Sequence, residues 1–151
     1  MARGENARER GAAAVEFAIV LPLLFVMLFG IVEFSVIMYD KALITSASRE
    51  GARFGAVFQD PRPTCDQIDT GAVQAYQQGL VTFGGSKTIT KKCFRGNTEI
   101  TGTNPVCSQM GDALAVQTTF TYNYLFIPRF VATLAGRVSL PLRSTTIMRC
   151  E

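Results

Sequence analysis

The sequence predicts an α+β protein: a long N-terminal transmembrane α-helix followed by a small antiparallel β-sheet domain packed on it. Three observations carry this. A nearly unbroken apolar run fills Ala12 to Val32. Helix-compatible sequence without proline continues from Glu33 to Phe58. Beyond that, Ala113 to Phe126 alternates apolar and polar residues with the period of a half-buried strand.

The apolar run follows a charged leader in which Arg3, Arg8 and Arg10 outnumber Glu5 and Glu9. As a helix the run is about 30 Å long, the thickness of a hydrocarbon core. The basic leader predicts a cytoplasmic N-terminus. No small-residue cleavage site comes after the run, so removal by signal peptidase is not expected. Pro22 lies inside it and is expected to kink the helix. One carboxylate, Glu16, stands near its start. Deep in lipid an unpaired carboxylate costs about 2.5–3.5 kcal/mol, so Glu16 needs either the headgroup layer or a cation.

From Glu33 to Phe58, Phe34, Ile37, Met38, Ala42, Ile44, Ala47 and Ala52 recur at near-helical spacing. One helix over 12–58, with its span at 12–32, is the expectation. Gly51 and Gly55 form a small-x-x-x-small pair that admits close helix packing. Its partner is either the protein's own sheet or a second helix. Glu50, three residues before Arg53, offsets the like charges of Arg49 and Arg53. Asp60-Pro61-Arg62-Pro63 ends the helix.

The rest, 59–151, is the predicted extracytoplasmic α+β domain, and roughly 90 residues is small for a self-sufficient core. Thr64-Cys65-Asp66-Gln67 reads as a capping box opening a second helix with Ile68, Ala72, Ala75, Tyr76 and Leu80 on its apolar face. Lys87 to Phe94 reads as a first strand, and Arg95 to Asp112, rich in Gly, Asn, Thr and Pro, as a loop. In the alternating strand, Leu114, Val116, Phe120, Tyr122, Tyr124 and Phe126 face the core. A short apolar helix is expected over 127–136. The last strand, Arg137 to Arg149, turns Val138, Leu140 and Leu142 inward, and Pro141 marks it as an edge.

The chain of 151 residues has four cysteines, no histidine and a net charge of +3. Without histidine there is no Ser-His or Cys-His nucleophile and no His-based metal site. No P-loop, dinucleotide fingerprint, H-E-x-x-H or G-x-S-x-G occurs. Asp66 and Asp69 fit an acidic helix start. The sequence therefore points to no enzyme, no cofactor and no metal, and scattered basic residues point to no nucleic-acid partner. Cys65, Cys93, Cys107 and Cys150 all lie beyond the span and lack metal-type spacing, so they are disulfide candidates in an oxidising compartment. Three pairings are open; closing the long loop favours Cys93–Cys107, with Cys65–Cys150.

Gly11 followed by AAAVEF resembles the processing site of type IV prepilins and pseudopilins, with Glu16 and Phe17 in place. The continuation through Glu33-Phe34 and ASREGARFGA (47–56) resembles the TadE-like family of Tad (tight adherence) pilus assembly. The resemblance covers about Gly11 to Val57. It implies a prepilin-type leader, 1–11, cut after Gly11 by a prepilin peptidase. The new amine of Ala12, cationic at neutral pH, would pair with Glu16. It implies a minor pseudopilin of the bacterial cytoplasmic membrane, single-pass, with its C-terminal domain periplasmic or carried into a pilus. Implied partners are the peptidase, other minor pseudopilins, the Flp-type major pilin, platform membrane proteins and membrane lipid. Two alternatives stay open: an uncleaved bitopic scaffold, and a membrane-anchored binding module using the Arg95–Asp112 loop.

Overall fold

The computed structural model describes residues 5–124, 136 and 139–151, with side chains from residue 11 onward. The element order is a long helix followed by a four-stranded antiparallel sheet. Helix α1 runs Glu5–Ala56, 52 residues and about 78 Å. It is helical through Pro22 and begins before Gly11, so the leader and the span share one helix.

The body starts abruptly at Glu33. Before it, apolar side chains such as Ile19 and Val26 are exposed; after it, one face of α1 is buried. That face comprises Glu33, Asp40, Ile44, Ala47, Ser48, Gly51, Ala52 and Gly55. It differs from the apolar spacing expected between Phe34 and Ala52. Phe34, Met38 and Ala42 point away from the body, whereas the acidic Glu33 and Asp40 point into it. Burial here is set by which residues find hydrogen-bond partners in the body, not by hydropathy alone.

The capping box forms as expected: Thr64 accepts from the Gln67 amide, and the Gln67 side chain accepts from the Thr64 amide. The segment it opens is not one α-helix. Helix α2 is a single turn, Cys65–Ile68, then a π turn, Asp69–Val73, and a 3-10 segment, Gln74–Gly79. The wide turn shifts the phase, so Ile68, Ala72 and Val73 are buried while Ala75 is exposed. Gly71 sits under the Phe54 ring, where an added Cβ would stand 3.1 Å from the ring edge.

The strands are β1 Thr90–Arg95, β2 Thr98–Ile100, β3 Ala113–Asn123 and β4 Ser139–Arg149, in spatial order β2-β1-β3-β4. The first begins three residues later than expected. Strand β2 corrects the reading of Arg95–Asp112 as loop throughout. Gly96-Asn97 is a two-residue hairpin turn with Gly96 at φ 59°, and it folds β2 back on β1. Strand β4 lies at the edge with Pro141 exposed and Leu142 buried, as expected. Phe126, the helix expected over 127–136 and Val138 lie outside the described residues, apart from a turn at Gly136.

Strand β3 is the centre of the core. Leu114, Val116, Thr118, Phe120 and Tyr122 are buried on the face toward α1. A hydroxyl cluster seals the close approach of helix and sheet. Thr118 donates to the Ile44 carbonyl at 2.8 Å, and Ser48 meets Ser144 at 3.1 Å and Thr146 at 2.8 Å. Lys41, seven residues before Ser48 on the same side of the helix, donates to the Arg143 carbonyl.

All four cysteines are paired, but not as expected. The disulfides are Cys65–Cys93 and Cys107–Cys150. Cys93 sits mid-strand in β1 opposite Val116, on the core face of the sheet, where it bonds to Cys65 at the start of α2. Cys150 extends the β4 ladder: its amide donates to the Asp112 carbonyl and its carbonyl accepts from Gly111. That brings the chain end beside Cys107. Sheet register, rather than loop length, sets the pairing.

Candidate functional site

The chain divides into a bare apolar helix and a body clasped to its continuation. On the bare part, Gly11 has no heavy atom of another segment within 4 Å of an added Cβ, and Ala12 and Glu16 are exposed. Phe17 is 63% exposed. Among the described residues Glu16 makes no hydrogen bond or ion pair. Around it stand Val15, Ile19, Val20, Leu23 and Leu24, all more than half exposed. An apolar surface of this extent requires lipid or other helices. Helix α1 is long and apolar enough to cross a membrane, compatible with single-pass anchoring. Phe25 and Phe29 stack one turn apart, with centroids 5.8 Å apart, so part of the aromatic surface is organised within the helix.

Gly51 and Gly55 lie on the body side. A Cβ on Gly51 would meet Ile68, Val116 and Val73 at 3.1–3.3 Å. On Gly55 it would meet Leu114 at 2.6 Å and Ile68 at 2.7 Å. The small pair serves the protein's own core: it lets β3 and α2 touch the helix backbone. Of the two partners open from the sequence, the structure has the sheet here. Glu50 and Arg53 form the i,i+3 ion pair at 3.9 Å, exposed on the opposite side.

The join between helix and body is made by acidic residues whose buried role the sequence did not reveal. Tyr122 donates a 2.6 Å hydrogen bond to Glu33, and both are buried. Burial and the neighbouring Glu33 carboxylate push the Tyr122 phenol above its ordinary range. Seven residues on, Asp40 accepts the Val81 amide at 2.9 Å, which pins the end of the 3-10 segment. Its second oxygen is buried without a partner. Burial raises the Asp40 pKa, partly offset by the Val81 amide and the charge of Lys87. The available signal was spacing: Glu33 and Asp40 are seven apart, on the stripe that continues through Ala47.

Elsewhere, acidic groups stabilise turns. Asp112 accepts from Ser108 and Gln109, which lowers its pKa and shapes the loop before β3. Asp66 and Asp69 both reach Lys91, at 3.0 and 3.2 Å. Burial depresses the Lys91 pKa, but these two carboxylates outweigh it and leave a net rise. They tie α2 to β1. Among the described residues no His, Cys, Asp or Glu cluster is arranged to hold a metal.

Neither a curated protein nor a solved structure matches the chain. One family model does, described as TadE-like protein, over residues 11–53. The matched segment opens at Gly11, contains the whole bare helix, and ends within the helical stretch clasped by the body. Residues 11–53 of this chain are thus similar to the TadE-like family.

Proposed function

We propose that this chain is a structural component of Tad type IVb-like pilus assembly, a minor pseudopilin processed by a prepilin peptidase after Gly11. The observation that carries this reading is the TadE-like match beginning at Gly11, on a helix whose apolar side chains between Val15 and Val32 are largely exposed. Cleavage there would leave Ala12 as the first residue, with its ammonium close to Glu16. That pair would lower the cost of the carboxylate in lipid and set axial register when helices bundle. The exposed faces of 12–32 would meet the helices of other minor pseudopilins, the Flp-type major pilin and platform proteins. The body, on the far side of the cytoplasmic membrane, would be presented for pilus biogenesis and adhesion. Disulfides in the body fit an oxidising compartment.

The mature N-terminus tests it. Intact mass from cells with an active prepilin peptidase is expected to start at Ala12, and Gly11→Leu to leave the chain uncut. Glu16→Gln is expected to insert normally and impair piliation. A native chain starting at Met1 in those cells overturns processing and leaves the uncleaved scaffold.

A further inference from the structure

The body begins where the apolar run ends. Val32 closes the run, and Glu33, the next residue, is already buried under Tyr122. Strand β3 descends antiparallel to α1: Leu114 lies against Gly55, Thr118 against Ile44, and Tyr122 against Glu33. Asn123, one residue further, donates to the Gly84 carbonyl. The Gly84-Gly85 turn therefore sits near the level of Glu33. Val81, held by Asp40, stands about 10 Å higher along the helix. The segment from Val81 to Gly85 thus drops to the rim of the apolar run, and Phe83 in it is exposed. On α1 at the same level, Phe34 is 62% exposed.

The interfacial layer on each side of a bilayer is about 5–7 Å deep. With 12–32 filling the hydrocarbon, Phe34 and the Phe83-Gly84-Gly85 turn fall in that layer. We propose that this end of the body is a lipid-contacting foot: Phe83, at the same level along α1 as Phe34, enters the headgroup layer of the leaflet from which α1 emerges. The proposal rests on the membrane-anchored reading of α1. The continuity of this surface with the apolar run selects lipid as its occupant, because no linker lifts the body away. Aromatic side chains suit that depth. Gly84 and Gly85, at φ 87° and 93°, let the chain turn sharply below Phe83. The exposed Lys87 comes next, within reach of phosphate. Glu33 would oppose so low a seat if it faced lipid, but Tyr122 encloses it within the protein.

The chain has no tryptophan, so single reporters can be placed in the full-length protein. Phe25→Trp, Phe83→Trp and Phe58→Trp mark the span, the foot and the far end of the body. Each is reconstituted in phosphatidylcholine vesicles with acyl chains brominated near the headgroup or near the terminal methyl. Phe25→Trp is expected to be strongly quenched. Phe83→Trp is expected to be quenched by the shallow bromines at least about twofold more than Phe58→Trp, as for an interfacial aromatic. Ser86→Trp, at an exposed position past the turn, is a second reporter should Phe83→Trp lose its fold. Quenching of Phe83→Trp and Ser86→Trp no greater than that of Phe58→Trp, with Phe25→Trp quenched, overturns the foot alone. So does a Phe83→Trp emission that depends on protein concentration and not on bromine, which would place a second copy there. An unquenched Phe25→Trp overturns the anchoring itself and the foot with it.

Discussion

The Tyr122 hydroxyl donates a 2.6 Å hydrogen bond to the Glu33 carboxylate, joining the first buried residue of the helix to the end of the central strand. Both are enclosed, so the bond forms where water cannot compete. It fixes the level at which the body meets the apolar run. Above it helix and sheet form one body; below it most apolar side chains of the helix are exposed.

Tyr122→Phe removes that donor from a buried carboxylate. The expected loss is about 1.5–3 kcal/mol, the range for a hydrogen bond to a charged group. Glu33→Gln keeps an acceptor and is expected to cost less. Thermal unfolding in nanodiscs, read as a double-mutant cycle of Tyr122→Phe with Glu33→Ala, checks this. A coupling indistinguishable from zero would show that the contact contributes nothing to the join.

Gly55→Ala is expected to destabilise by about 1–3 kcal/mol through overpacking, since its Cβ would meet Leu114 at 2.6 Å and Ile68 at 2.7 Å. Gly51→Ala has 3.1–3.3 Å of room and should cost less. The order of the two unfolding midpoints is the readout; equal midpoints would contradict this account of the close helix–sheet approach.

Asp40 and Asp112 make opposite contributions to pH dependence. The folded Asp40 binds its proton more tightly than its ordinary value of 3.8, chiefly through burial. Its contribution is therefore most favourable at low pH and falls as pH rises through the folded value. Asp40→Asn keeps an acceptor for the Val81 amide and removes the charge. It should unfold at the same or a higher temperature than native at neutral pH, with the difference shrinking toward pH 3.8. Asp112 is held below 3.8 by Ser108 and Gln109. Its contribution is present above 3.8 and is lost as pH falls through the folded value. Asp112→Asn should therefore lose stability mainly above that range. A native-minus-variant difference that is flat with pH in either case would refute the assignment.

Non-reducing peptide mapping should find Cys65 linked to Cys93 and Cys107 to Cys150. Replacing Cys107 and Cys150 by serine is expected to cost about 4 kcal/mol on the chain-entropy account, given a separation of 43 residues. Recovery of a Cys93–Cys107 peptide from the native protein would contradict the sheet register that sets these pairs.

The features that the sequence determined by itself are those set by local chemistry. The apolar run marks α1, the Thr64/Gln67 box opens α2, the alternation from Leu114 to Tyr122 defines the core strand, and Pro141 marks the edge. Gly11-AAAVEF and ASREGARFGA carried the family resemblance, and the match over 11–53 agrees with it. Strand β2 was missed: the Gly, Asn and Pro around Thr98–Ile100 read as loop, although Gly96-Asn97 is the hairpin turn that could have signalled it. Tertiary structure alone decided the rest. The disulfide pairs depend on which strands lie side by side, a long-range matter that cysteine spacing does not encode. The π turn after Ile68 rotates the second helix out of its expected face. The buried side of α1 holds Glu33 and Asp40 and leaves Phe34 and Met38 outside, because Tyr122 and Val81 offer the acids hydrogen bonds that hydropathy does not register.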